Sequence, residues 1–399
     1  MSTFHGLEIG RRGLSAGQAS ISATGHNIAN ANTKGYSRQQ VNTSSSPSLE
    51  VWTAKGAGTG QLGSGVSIDS IMRVRDSFLD QQYRTHSSGL SEWQAKSEAL
   101  GNVETIFGEP GDAGLNASMD RLWSAWQDLS SDPQNPAAQA VVKERAQAFA
   151  DVAKSIDRSL SELTAELKER SMAAESEAKI LLSRIADLNT SIVRTGPQAN
   201  DLRDERDVAV EELAKLMDIK VSEKADGSYA ITIASDKRAL GDGESIEFGA
   251  AAGGKIGGLA QALESVESYQ QQIAGTVSDF AKANGNVFNG TANGQLVVAK
   301  DAVLQMPEGL DGNMKKIQAD FRSLVSGLGA KAQTAGYAVS TQQQLLVSTE
   351  NRRQSVTGVS LDEEMANLVK YQHAYNAAAR LVSTTDQMLD TIINRMAAR

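Results

Sequence analysis

Residues 361–399 contain neither Gly nor Pro, and Leu361, Leu368, Tyr375, Val382, Leu389 and Met396 recur every seven residues. Met365, Ala379 and Ile393 fall four places after members of that row. This spacing predicts one helix with a coiled-coil stripe along one edge, about 58 Å long at 1.5 Å per residue. At the other end of the chain Leu7, Leu14, Ile21 and Ile28 repeat with the same period, and three places beyond each stand Gly10, Gly17, Thr24 and Ala31. Small side chains alternating with large ones admit large knobs at close range, so the two termini are expected to pair. The pattern taken alone fits two ordinary amphipathic core helices equally well. Energetics favour the first reading. Burying the six large residues of the C-terminal row contributes on the order of 10 kcal/mol. Ordering a backbone costs about 1–2 kcal/mol per residue, offset only in part by helix hydrogen bonds. Such a terminus is expected to order only among neighbours that cover its remaining faces.

Between the ends the periodicity changes several times. The first helix is expected to run to about Asn32, with Asn27, Asn30, Thr33 and Gly35 setting its end and the loop that follows. Residues 37–66, rich in Ser, Thr and Gly, read as an irregular segment with short β-type stretches near Val51 and from Val66 to Ile71. Helical patterning returns from Arg73 to Phe107, and a short helix carries Leu122, Trp123, Trp126 and Leu129 as core. Residues 137–195 lack Gly and Pro and hold two heptad-like blocks, Phe149 to Leu167 and Leu181 to Ile192, around the polar stretch KERSMAAESEAK. One helix over that span would be roughly 88 Å long, the length of a rod. A helix at 201–217 then leads into a β-hairpin turning at Asp226-Gly227, followed by helices at about 259–288 and 313–355.

The expected fold class is mainly α with a small α+β domain. A terminal coiled-coil domain takes 1–45 and 357–399, a helical rod domain takes 46–198 and 310–356, and a small hairpin-containing domain takes 199–309.

Composition narrows the chemistry. The 399 residues give a net charge of −9 with no Lys/Arg-rich run, which argues against nucleic acid as a partner. Cysteine is absent, which excludes a disulfide framework, thiolate zinc sites and a Cys nucleophile. No apolar run has the length of a membrane span, and the first residues lack the apolar core of a secretory signal. His5, His26, His86 and His373 form no pair at ligand spacing, and there is no phosphate loop or nucleophile elbow. Gly58, Gly60 and Gly63 satisfy G-x-G-x-x-G, but VSIDSIMRV follows where a helix is required, so a flexible loop is the better reading. Asp201, Asp204, Glu205 and Asp207, interleaved with Arg203 and Arg206, read as a salt-bridging helix surface rather than a catalytic or metal cluster. Nothing points to a catalytic residue, a metal or a cofactor.

The segment NIANANTKGYSRQ, residues 27–39, resembles the N-terminal signature of the bacterial flagellar rod, hook and hook-associated proteins. Its Gly35-Tyr36-Ser37-Arg38 ending looks more like the hook-associated branch than like hook or rod subunits. GSGVSIDSIMRVRDSFLDQQYR, NDLRDERDVAVEELAKLM and VTGVSLDEEMANLVKYQHAYNAAARLV agree with this, so the resemblance spans nearly the whole chain. It implies an axial structural subunit at the hook–filament junction, exported unfolded by the flagellar type III apparatus. Partners would be copies of itself in a ring or tube, the hook protein, the second hook-associated junction protein, and a cytoplasmic export chaperone at the C-terminal region. The assembly interface would then include Leu7, Leu14, Ile21, Ile28, Asn27, Asn30, Thr33, Gly35 and Tyr36. At the other end it would include Leu361, Met365, Leu368, Tyr375, Val382, Leu389, Ile393 and Met396. Larger members carry a β-rich outer insertion for which the short stretch from Asn289 to Leu310 leaves no room. A hook or rod subunit is the second reading. An exported peptidoglycan hydrolase, which would need a carboxylate pair in a cleft, is the third.

Overall fold

The computed structural model of the protein describes residues 4–51, 60–109, 111, 114–196, 198–235, 237, 239–240, 249–292, 295–299 and 304–391. In chain order the elements are α1 (His5–Ala29), β1 (Gln39–Ser45), β2 (Leu49–Val51), β3 (Gly60–Leu62), β4 (Val66–Arg73), α2 (Ser77–Phe107), α3 (Leu115–Ser131) and α4 (Pro136–Thr195). After these come α5 (Asn200–Leu216), β5 (Ile219–Glu223), β6 (Tyr229–Ile233), α6 (Gly254–Ala283), β7 (Phe288–Ala292), β8 (Gln295–Val298), α7 (Leu310–Thr357) and α8 (Leu361–Asp390). Among the described residues the strands form antiparallel two-stranded ribbons, β1 with β4, β2 with β3, β5 with β6, and β7 with β8.

The rod helix is a single α4 of 60 residues. Asn135 caps it, its side-chain oxygen accepting from the amide of Ala137, and Pro136 occupies the first turn, where a missing N–H costs nothing. The polar middle does not interrupt the buried stripe. Val142, Ala146, Phe149, Ala153, Ile156, Leu160, Leu163 and Leu167 hand over to Ala174 and Ala178, and then to Leu181, Ile185, Leu188 and Ile192. Alanines keep the seam apolar where the surrounding residues are charged. Against α4 the core collects Phe107 of α2, Trp126 of α3 and Phe280 of α6, with the Phe149 and Phe280 rings 4.1 Å apart and Phe321 of α7 stacked behind Phe107 at 6.4 Å. Trp126 keeps its indole N–H satisfied by donating 2.8 Å to the Asn284 side-chain oxygen. Helix α7 buries Met314, Phe321, Leu328 and Ala335, one residue every seven, against this core.

Several boundaries differ from expectation. The segment read as irregular contains a real ribbon, β1 on β4, with a bulge between Asn42 and Thr43. Its strand QQVNTSS has Val41 as its single apolar residue, so no period-two signal announces it. Helix α2 begins at Ser77 rather than Arg73, because the Asp76 carboxylate caps it by accepting from the Phe78 and Leu79 amides. Helix α6 spans 254–283 and not 259–288, since Phe288 opens a strand. The first helix stops at Ala29, short of Asn32. The expected hairpin at Asp226-Gly227 is present, with Gly227 at φ 83° and the Asp226 carboxylate accepting from the Ser228 amide and hydroxyl. Gly60 starts β3 and Gly63 precedes β4, while Gly58 lies outside the described residues. The strand after Gly63 is the opposite of what a dinucleotide loop needs.

Candidate functional site: the terminal helix pair and its charged joint

Helix α8 lies along α1, and small residues of α1 make the approach close. A Cβ placed on Gly10 would meet Val382 Cγ2 at 2.5 Å, and one on Gly17 would meet the Tyr375 Cβ and Cα at 3.2 and 3.3 Å. Gly6 faces Thr385 and Gly13 faces Ala378 in the same way. Ala16, Ser20, Ala23, Thr24 and Asn27 complete the buried face of α1. Large knobs from the C-terminal row therefore sit over glycines of the N-terminal helix, as the alternating sizes predict.

Leu7, Leu14, Ile21 and Ile28 of α1 are half-buried. On α8, Leu368, Tyr375, Val382 and Leu389 are half-buried against the pair. Leu361 and Met365 instead point outward, 48% and 57% exposed, and Val369, Leu381 and Met388 are exposed with them. Ile393 and Met396 lie outside the described residues. Among the described residues of α8 the only buried one is Glu364. A 30-residue helix with one buried side chain, and that one charged, has most of its apolar surface uncovered.

Glu364 belongs to a polar clasp. The Asn27 amide donates to the Glu364 carboxylate at 3.0 Å and to the Gln39 carbonyl at 2.9 Å. The Asn27 oxygen accepts from the Tyr36 hydroxyl at 2.7 Å and from the Gln39 amide at 2.9 Å. One asparagine thus ties α1, the loop, β1 and α8 together with every side-chain donor and acceptor used. Asn30 and Thr33 make local helix-stop contacts, the Asn30 amide donating to the His26 carbonyl and the Thr33 hydroxyl to the Asn30 oxygen. Gly35 adopts φ 80°, and a Cβ there would overlap the Val208 side chain, so this glycine lets the loop dock on α5. Tyr36 is half-buried, and burial, followed by the charges of Asp204 and Asp201, pushes its hydroxyl above the ordinary tyrosine range.

Behind the clasp lies a cluster of charged side chains. Asp204 accepts from the Ser37 amide at 3.0 Å, the Ser37 hydroxyl at 2.7 Å and Arg73 at 2.7 Å. Asp207 accepts from Arg73 at 2.7 Å, Arg75 at 2.8 Å and the Tyr229 hydroxyl at 2.8 Å. Arg75 also pairs with Asp80 at 2.9 Å, Arg353 pairs with Glu211 and Glu350, and Arg38 reaches Glu363 at 3.0 Å. The network therefore joins the post-α1 loop, the end of β4, the start of α2, α5, the end of α7 and the start of α8. Burial alone would raise the Asp207 carboxyl, but Arg75 and Arg73 outweigh it and hold it below the usual carboxylate range.

This corrects the surface reading of the DLRDERD stretch. Asp204 and Asp207 are buried, and Arg206 is wholly so, its guanidinium stacked 3.4 Å over the Tyr229 ring with Nε and Nη2 lacking acceptors. Only Asp201 and Glu205 are exposed, Glu205 pairing with Arg184 at 2.9 Å. Among the described residues the alternating charges do not pair with one another; Asp204 and Asp207 are buried because Arg73 and Arg75, far away in sequence, close over them. A polar cleft of about 650 Å³ opens beside the joint, between the loop at 31–38 and the end of α7. Among the described residues no group of His, Asp and Glu is arranged to hold a metal, and no helix is long and apolar enough to cross a membrane.

Comparisons with known proteins follow the same three regions. The description "Flagellar hook-associated protein FlgK helical domain" matches residues 100–250, "Flagella basal body rod protein" matches 7–36, and "Flagellar basal body rod FlgEFG protein C-terminal" matches 353–396. Flagellar hook-associated protein 1 of Bacillus subtilis is 30% identical over 502 aligned positions, covering 99% of each chain. The Escherichia coli protein of that name is 22% identical, covering 96% of this chain and 98% of its own, and the Salmonella typhimurium one is 26% identical over 69% and 47%. The Bacillus alignment is longer than the 399 residues here, so that relative carries segments without a counterpart in this chain. The solved flagellar hook junction protein FlgK of Burkholderia pseudomallei aligns at 19% identity and a TM-score of 0.47, over 52% of this chain and 43% of its own. With a relative at 30% identity across the whole length and the helical-domain model at its centre, the chain belongs to the flagellar hook-associated protein 1 family, structural and non-enzymatic components of the extracellular bacterial flagellum.

Proposed function

We propose that the protein is the subunit that joins hook to filament, building a ring or short tube from copies of itself through its terminal helices. The observation that carries this is α8, which has one buried residue along its described length and leaves Leu361, Met365, Val369, Leu381 and Met388 open to solvent. Fully burying side chains of this size contributes about 1.5–3 kcal/mol each, which neighbouring copies would supply. Leu7, Leu14, Ile21 and Ile28 of α1, which are only half-buried, would gain further cover from the next pair. A pair that is complete only among neighbours is also one that does not polymerise before export. In this reading the chain leaves the cell through the flagellar type III apparatus, its C-terminal region held beforehand by a chaperone, and then contacts the hook protein on one side and the second hook-associated protein on the other. The charged joint sets the angle between the helix pair and the body. The longer Bacillus relative carries segments without a counterpart here, so roles of those segments do not transfer.

The test is deletion and localisation. A strain without the gene is expected to make hooks that lack filaments, and gold-labelled antibody is expected at a single position where the two meet. Labelling along the whole hook or within the rod would favour the second reading.

A further inference from the structure

The β1–β4 ribbon presents different chemistry on its two faces. Alternation along the strand turns Arg38 toward α8, where it meets Glu363, and turns Gln39 the other way, where its side-chain amide donates to Asp201 at 3.0 Å. Arg73, the register partner of Gln39, shares that second face, as do Val41 with Ile71 and Thr43 with Ile68. Between this face and the start of α5 runs a groove of about 360 Å³ whose lining includes Ile71, Gln198, Asn200 and Arg203. Ile68 on the same face remains 39% exposed. Arg73 and Arg75 at the groove are committed to Asp204, Asp207 and Asp80. Arg203 is not: its Nη1 meets Glu223 only at 3.5 Å, and its Nε is buried without an acceptor. The groove thus offers an apolar wall and an under-used cation, with the Asp69 carboxylate, which accepts from the Ser44 hydroxyl, also in its lining.

The start of α8 offers the complement. Leu361, Asp362 and Met365 are exposed together, and Asp362 has no ion-pair partner among the described residues. In its own molecule this turn is tied by Glu363 and Glu364 to Arg38, on the opposite face of the ribbon from the groove. A chain cannot bring the two surfaces together by itself.

We propose that the α8 start of one copy seats in the β4–α5 groove of the next, with Leu361 against Ile68 and Ile71, and Asp362 on Arg203. The inference rests on the self-assembly reading above and gives it a direction. Two unlike surfaces on opposite faces of one ribbon make a head-to-tail contact, the kind that closes rings or continues as a helix. The charges set the register and the apolar residues supply the burial.

The absence of cysteine makes the test direct. Ile68→Cys and Leu361→Cys are placed on separate, co-expressed copies, and isolated flagella are treated with a short bis-maleimide. A dimer is expected about tenfold above the level seen when Leu361→Cys is replaced by Met172→Cys on the exposed side of α4, because only held neighbours have a high effective concentration. Flagella that contain both variants but show no such excess overturn the proposal while leaving self-assembly standing. Flagella that contain a single copy of the chain overturn the self-assembly reading itself. If the cysteine variants stay out of flagella, charge reversal decides. Arg203→Glu and Asp362→Arg are each expected to cut incorporation about tenfold and their combination to restore it. A double variant no better than the singles overturns the proposal.

Discussion

Replacing Asp207 by asparagine removes one charge from the centre of the joint and leaves its shape. The carboxylate, 6% exposed, receives Arg73 at 2.7 Å, Arg75 at 2.8 Å and the Tyr229 hydroxyl at 2.8 Å. Removing one partner from a buried ion pair costs about 3–5 kcal/mol. Here Arg73 keeps Asp204 and Arg75 keeps Asp80, so neither guanidinium is stranded, and the expected loss is at the lower end, about 3 kcal/mol. The comparator is Glu205→Gln on the same helix. Its pair with Arg184 is as short, 2.9 Å, but both side chains are about half exposed, so its loss is under about 1 kcal/mol. Urea unfolding of the purified monomer, followed by circular dichroism, reads both. The pH dependence adds a sign. Arg75 and Arg73 hold the Asp207 carboxyl below its unfolded value, so its contribution is complete above the unfolded aspartate value of about 4 and fades as pH falls through the lower folded value. The parent protein should therefore lose its lead over Asp207→Asn in acid. If Asp207→Asn matches Glu205→Gln in stability, or the lead persists unchanged well below pH 4, the reasoning about a buried joint is wrong.

Three further outcomes are expected. Gly17→Leu has no room beneath Tyr375 and should unpair α8 from α1, seen as faster amide exchange in α8 with α4 unchanged. Gly35→Ala combines φ 80° with overlap on Val208 and should lower stability by about 2 kcal/mol or more in the same urea assay. Leu368→Asp should leave the body folded by circular dichroism yet abolish incorporation into flagella; normal swimming by that variant would contradict its place in the seam.

How much of this was legible depends on where the partners lie. The rod helix and both terminal helices announce themselves because their apolar residues repeat at fixed short spacing, and the small residues spaced along α1 mark the close approach of α8. Asn27, Gly35 and Tyr36 stand out within a motif, but only the fold shows that Asn27 reaches Glu364, 337 residues away. The acid cluster misled for the same reason. Asp204 and Asp207 look like any alternating helix surface until the end of β4 and the turn after it bring Arg73 and Arg75 onto them. The strand β1 was invisible because Val41 is its single apolar residue, too few for a period-two pattern to show.

The central claim is that the terminal pair is an incomplete structure finished by neighbours, and hydrogen exchange on the isolated chain and on intact flagella tests it most directly. The account predicts that in the isolated chain the amides of α8 exchange far faster than those of α4, and that assembly slows α8 strongly while changing α4 little. Equal protection of α8 and α4 in the lone molecule, with no further gain on assembly, would contradict it.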